Sequence, residues 1–168
     1  MRLTRFALAA LAPLLLAMQD APSDRVDMSG YRDFRIGMSE SEILAAHPEM
    51  RVEPSLDGGS CHYLSGAADL PGLGLMIIAG ELVRIDVFEG GIATREGARI
   101  GMTGAELIAL YPARTHVESH PYGDAGDKVI HHASPDGAGA MAFEVVDGRI
   151  TAYRAGQHGP VQFIEGCL

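Results

Sequence analysis

Two cysteines and seven histidines are the side chains of this chain most readily turned to chemistry. Cys61 and Cys167 lie far apart with no CxxC spacing, which in an oxidising compartment reads as one disulfide joining the middle of the chain to its last residues. A loop of that length is worth up to about 4–5 kcal/mol in the chain-entropy model. Cys61-His62 has the composition of half a thiol-nucleophile pair, but neighbours on a strand point to opposite faces. His116 and His120 are four apart, with His131 and His132 nearby. Helical spacing would suit a metal, yet Pro121 and the strand-like surroundings oppose a helix, and adjacent strand histidines diverge. Surface and edge-strand histidines are the expectation, with no metal site and no cofactor. No Ser-centred nucleophile elbow, phosphate-binding Gly-rich loop or HExxH helix occurs. The chain is expected not to be an enzyme.

Any site must therefore be built by the elements, and these are organised around two near-identical segments. Residues 35–48 read RIGMSESEILAAHP and residues 99–112 read RIGMTGAELIALYP, with 7 of 14 positions identical at an offset of 64. That is the mark of an internal duplication. Each copy carries a capping box: Ser39 with Glu42, and Thr103 with Glu106, the hydroxyl accepting from the N3 amide while the carboxylate reaches back to the N-cap amide. Pro48 and Pro112 disfavour helical geometry at the residue before them, so each helix should last two to three turns.

Composition bounds the rest. Arg2 and Arg5 precede an apolar run over residues 6–17 followed by small residues, which reads as a secretory signal over 1–21, cleaved near 17–21. The run is shorter than the roughly 20 residues that span a bilayer, so no stable membrane anchor is expected after cleavage. The formal charge of −9 falls to −11 for cleavage after Ala17, since Arg2 and Arg5 leave with the signal. Such acidity argues against nucleic acid, whose affinity comes from Lys and Arg neutralising phosphates.

Residues 22–33 read as a loose lead-in, 34–91 as a first repeat and 92–168 as a second with a C-terminal tail, the two forming one compact unit. Strands are expected over residues 61–64, 73–79, 82–88, 128–133, 139–146 and 149–155, and an extended tail over 161–166. Asp147-Gly148 between alternating apolar runs is a strong hairpin signal. The predicted fold is α+β: two tandem helix-plus-antiparallel-hairpin repeats forming one sheet backed by short helices. Alternation places Val83, Ile85 and Val87 on one side and Arg84, Asp86 and Phe88 on the other. With Glu144, Thr151 and Tyr153, those three make the predicted solvent face, and Arg and aromatic residues are typical partner anchors.

Gly37-Met38-Ser39 with Glu42, and Gly101-Met102-Thr103 with Glu106, each followed by a short helix ending in Pro and then a hairpin, resemble the unit of the SmpA/OmlA (BamE) family of outer-membrane lipoproteins. Two such units in tandem resemble the architecture of β-lactamase-inhibitor proteins. The chain lacks the lipid-attachment cysteine of the first family. The resemblance implies an exported, periplasmic or secreted, protein-binding or inhibitor-like module whose partner is another envelope or secreted protein. The alternative is an enzyme or small-ligand carrier with its site between the repeats.

Overall fold

Strands are most clearly written where apolar and β-branched residues flank a two-residue turn, as on either side of Ala79-Gly80 and Asp147-Gly148. The computed structural model describes residues 23–55, 58–67 and 69–167. The signal expected over 1–21 lies outside the described residues.

The described chain begins with β1 (Ser23–Asp27), β2 (Gly30–Arg32) and β3 (Phe34–Arg35), then α1 (Glu40–Ala46), β4 (Arg51–Pro54), β5 (Cys61–Ser65), β6 (Leu73–Ile78) and β7 (Glu81–Val87). It continues with α2 (Gly104–Leu110), β8 (Thr115–Ser119), β9 (Lys128–Ala133), β10 (Gly139–Val146), β11 (Arg149–Gln157) and α3 (His158–Val161). The first three strands form one small sheet. The other eight form a single antiparallel sheet in the order β4-β5-β6-β7-β11-β10-β9-β8.

This overturns the predicted fold of two helix-plus-hairpin repeats. Each helix is followed by four strands, all eight belong to one continuous sheet, and a separate three-stranded sheet occupies most of the expected loose lead-in. The missed strands β4 and β8 lie at the two edges of the large sheet, where Val52 and Val117 are exposed. Sequences such as RVEP and THVES carry little apolar alternation because neither face of an edge strand is well buried. The extended segment expected over 161–166 instead follows a helical turn, α3.

The twin segments do the same structural job. Ser39 and Thr103 cap α1 and α2, each accepting from the N3 amide while Glu42 or Glu106 accepts from the cap amide at 2.9 and 2.8 Å. Gly37 N–H donates to Leu82 O and Leu82 N–H to Met38 O, both at 2.8 Å. Gly101, Ile150 and Met102 reproduce those two bonds at the same length. Each RIGM segment thus pins its helix to the second strand of a hairpin. Those hairpins turn at Ala79-Gly80 and Asp147-Gly148, and all four residues have the positive φ that a type I′ turn requires.

The main core lies between one face of the large sheet and the two helices with the small sheet. Ile43 and Leu107 enter it from the helices, Leu75, Ile85, Phe143 and Ile150 from the sheet, and Tyr31 and Phe34 from β2 and β3. The segment joining the halves runs beside β1, with Val26 N–H donating to Ala93 O at 3.0 Å. On the opposite face a small apolar cluster forms where Val129, Ala140 and Ala142 meet Val161 of α3.

Candidate functional site

The second face of the large sheet is charged, and the chain's own last residues lie on it. β7 presents Arg84 and Asp86 there, with Phe88 just past its end, while Ile85 and Val87 enter the core, as alternation requires. β11 does not continue the parity expected of it. Glu144 pairs with Ala152 and Val145 with Ile150, leaving Thr151 as an extra residue in a bulge. A bulge shifts the phase of everything beyond it. Tyr153 therefore joins Ile150 in the core, and Arg154 takes the charged face opposite Asp86.

The predicted solvent face is corrected accordingly. Phe88 is 55% exposed and Thr151 is exposed, but Glu144 is half-buried, Arg84 and Asp86 are 2% and 3% exposed, and Tyr153 is 1% exposed. Arg84 and Asp86 lie on the side expected of them, and the segment 158–167 covers them. Tyr153 lies on the other side altogether, its hydroxyl donating to Ile92 O at 3.1 Å and its ring stacked 5.5 Å from Phe143.

A dense polar cluster forms under the tail. Arg84 donates from Nε to Asp86 Oδ2 at 2.9 Å, from Nη2 to the Tyr63 hydroxyl at 2.6 Å, and from Nη1 to the carbonyls of Pro160 and Phe163 at 2.8 and 2.6 Å. Tyr63 in turn donates to Asp86 Oδ2 at 3.3 Å. Arg154 donates to Val161 O at 2.6 Å and to Glu144 Oε1 at 2.7 Å. Burial pushes the Asp86 carboxyl above the usual carboxylate range against the pull of both guanidinium groups. Burial also raises the Tyr63 hydroxyl and lowers Arg154. The tail is fastened by a disulfide between Cys61 and Cys167, with Cα atoms 5.3 Å apart across 106 residues of sequence. That bond fits a protein matured in an oxidising compartment.

Beside the tail a groove of about 470 Å³ opens. Leu70, Pro71, Phe88 and Ile164 give it apolar walls, and the Tyr63–Arg84–Asp86 cluster forms part of its lining. Four carboxylates line it, those of Glu53, Asp86, Glu144 and Glu165, against the one guanidinium of Arg84. Ser65 donates to Glu53, and Tyr122 to Glu165.

Tyr63, Arg154, Glu53 and Glu165 were not singled out from the sequence. Arg154 could be placed only by knowing the bulge at Thr151. Glu53 and Glu165 belong to an edge strand and a tail that come together in the fold alone.

Four of the histidines, His116, His131, His132 and His158, line a small cavity of about 180 Å³ together with Glu118, and His47, His62 and His120 lie apart from it. His131 Nε2 lies 2.9 Å from Glu118 Oε1, His120 Nε2 lies 3.6 Å from Glu144 Oε2, and His132 packs against the Tyr111 ring at 4.6 Å on the core side. Among the described residues no group of three or more His, Cys, Asp or Glu is arranged to hold a metal ion. A second cavity of about 450 Å³ is lined by Arg95, Glu96, Tyr111, Arg114 and His132. Its Tyr111 hydroxyl is committed to Thr94 and Glu96 at 2.7 and 2.8 Å.

No protein-family model matches this chain, and no curated protein matches it in sequence. Among solved structures it is similar to an extracellular protein containing a SCP domain from Bacillus anthracis str. Ames, with 14% identity and a TM-score of 0.49. The match covers 86% of this chain and 49% of that one, so the chain spans about half the length of that protein.

Proposed function

We propose that this chain is an exported, non-enzymatic binding protein that holds a segment of another envelope or secreted protein in the groove beside its C-terminal tail. The observation that carries this reading is the pairing of an exposed Phe88 wall with a carboxylate-rich lining, over a polar cluster whose donors are already used. A partner segment with an apolar side chain next to a Lys or Arg complements both features. The net charge of −9 draws such a segment in at long range. The export signal read over 1–21, the disulfide, and the resemblance of the capped segments to envelope binding modules support the same assignment. Periplasmic or secreted location is part of the proposal.

Titration of the mature protein with short peptides pairing Leu or Phe with Lys or Arg, and with counterparts carrying Glu instead, tests it. The basic set should bind and the acidic set should not, with binding weakened by added salt. Phe88→Ala should weaken the basic set by more than about fivefold, the effect of losing an anchor worth roughly 1 kcal/mol. Equal binding of both sets, or no change in Phe88→Ala and Glu165→Gln, would sink the assignment.

A second reading has one observation in its favour. The groove volume lies within the range of small-molecule sites, and its lining joins residues 53–88 to Glu144 and the tail. A small apolar cation retained by the native protein in mass spectrometry would favour a carrier over a partner-binding module.

A further inference from the structure

The segment 158–167 sits on the charged face in the manner of a bound peptide. Three of its main-chain carbonyls, those of Pro160, Val161 and Phe163, take donors of Arg84 and Arg154. A carbonyl carries no side-chain identity, and since Pro160 and Val161 lie in the helical turn α3, a segment from another chain that enters with a helical turn offers the same acceptors. The tail's apolar hold is slight, since Val161 and Ile164 rest on Val129 and two alanines, Ala140 and Ala142. The backbone at Gly166 lies so near Tyr63 that a Cβ there would meet the hydroxyl at 2.8 Å. One covalent bond, Cys167 to Cys61 at the start of β5, fastens the end, and both cysteines are half-buried rather than enclosed. The larger core uses none of these tail contacts, although its margin at Ala67, Leu70 and Leu73 also lines the groove.

We propose that residues 158–167 are a strap opened by a dithiol reductant, and that its seat over Arg84 and Arg154 then receives a segment of a partner polypeptide that enters, as the strap does, with a helical turn. This rests on the protein-binding reading above. A reductant thiolate attacks one sulfur of Cys61–Cys167 and displaces the other as a thiolate, which takes up a proton. The second reductant thiol then closes on the mixed disulfide, so two electrons and two protons pass to the protein and the reductant leaves as its own disulfide. With the tether gone, the Arg84 and Arg154 donors exchange tail carbonyls for water or for those of a partner.

Arginine modification on the full mature chain tests the opening without any partner. In the oxidised protein phenylglyoxal should modify the exposed Arg51 and spare Arg84 and Arg154, as read by peptide mass spectrometry. With dithiothreitol, and with both thiols confirmed free by alkylation, Arg84 and Arg154 should react within about tenfold of Arg51. The amides of β6, β7, β10 and β11 should stay protected from exchange. The C61S/C167S double variant should behave the same way without reductant. Continued protection of both arginines in reduced protein makes the disulfide a staple only, and general loss of amide protection makes it a support of the whole fold; either overturns the proposal. For the seat, a free peptide of residues 158–166 should bind reduced protein at least tenfold tighter than oxidised protein. Opening without such binding rejects the partner's place under the strap. Failure of the basic peptides at the groove would instead reject the parent reading and leave the opening measurement standing.

Discussion

The two faces of the eight-stranded sheet are held by different physics. On the core face the sheet buries Leu75, Ile85, Phe143, Ile150 and Tyr153 against two capped helices and the small sheet. Its stability is spread over many non-directional contacts, none of which decides the outcome alone. The tail face holds its cover with a few directional bonds from Arg84 and Arg154, a small alanine-rich cluster and one disulfide. A cover of the first kind comes away only when the protein unfolds. A cover of the second kind is removed by changing one or two groups, and it leaves behind charged side chains ready to bind something else. The contrast is what supports the proposal that binding takes place on the tail face.

The largest expected effect sets the two aromatics chosen from the sequence against each other. Tyr153→Ala removes a stacked ring from the core and should cost about 3–5 kcal/mol in urea melts. Phe88→Ala, on the exposed rim of the groove, should stay within about 0.5 kcal/mol. Equal losses would mean that the bulge at Thr151 does not turn Tyr153 inward. On the tail face, Arg84→Met leaves Asp86 buried without its partner and should cost about 3 kcal/mol. Adding Asp86→Leu should recover more than half of that loss, because the stranded carboxylate is then gone. A double variant no more stable than Arg84→Met would place the cost in the lost bonds to the tail instead.

How much of this was legible in the sequence follows the same division. The capping boxes at Ser39 and Thr103 were visible because N-capping is local chemistry, written within four residues. The Asp147-Gly148 hairpin and the parity of β7 from Arg84 to Val87 were visible for the same reason. Val83, expected beside Ile85, is instead the extra residue of a bulge, and Leu82 enters the core in its place. The edge strands β4 and β8 were not, because their pairing comes from neighbours rather than from their own alternation. The site was least legible of all. Arg84 and Asp86 were found but assigned to solvent, since nothing in VQFIEG announces that its backbone will lie over them. Tyr153 was assigned to the wrong face because a bulge changes parity without a sequence mark at Thr151.

Smaller effects should come from the helix starts. Thr103→Ala and Ser39→Ala should each cost about 0.5–2 kcal/mol, since each leaves helix-start amides without their acceptor. The two losses should be similar, because the caps make the same bonds at nearly the same distances. Denaturant melts in which either variant is unchanged would remove the capping box as a source of stability for the core face.

The smallest effect is a difference in sign as the protein is acidified. Hydrogen bonds from Ser39 and Thr103 hold the Glu42 and Glu106 carboxyls below the ordinary glutamate value. An acid lowered in the folded state contributes stability that is present above its unfolded pKa, about 4.3, and lost as pH falls through the folded value. Asp86 runs the other way. Burial raises it, so its contribution is fully present below its unfolded pKa, about 3.9, and lost as pH rises through the folded value. Acid should therefore weaken the helix starts while relieving the buried carboxylate under the tail. In stability measurements between about pH 3 and 6, Glu42→Gln with Glu106→Gln should flatten the acid-side loss. Asp86→Asn, which cannot gain a proton, should steepen it. Carboxyl-carbon NMR reads the same opposition directly, with Glu42 and Glu106 titrating below their ordinary values and Asp86 above its own. An Asp86 titration at or below the ordinary aspartate value would mean that Arg84 and Arg154 outweigh burial, and that the charged face is held as firmly at neutral pH as the core face.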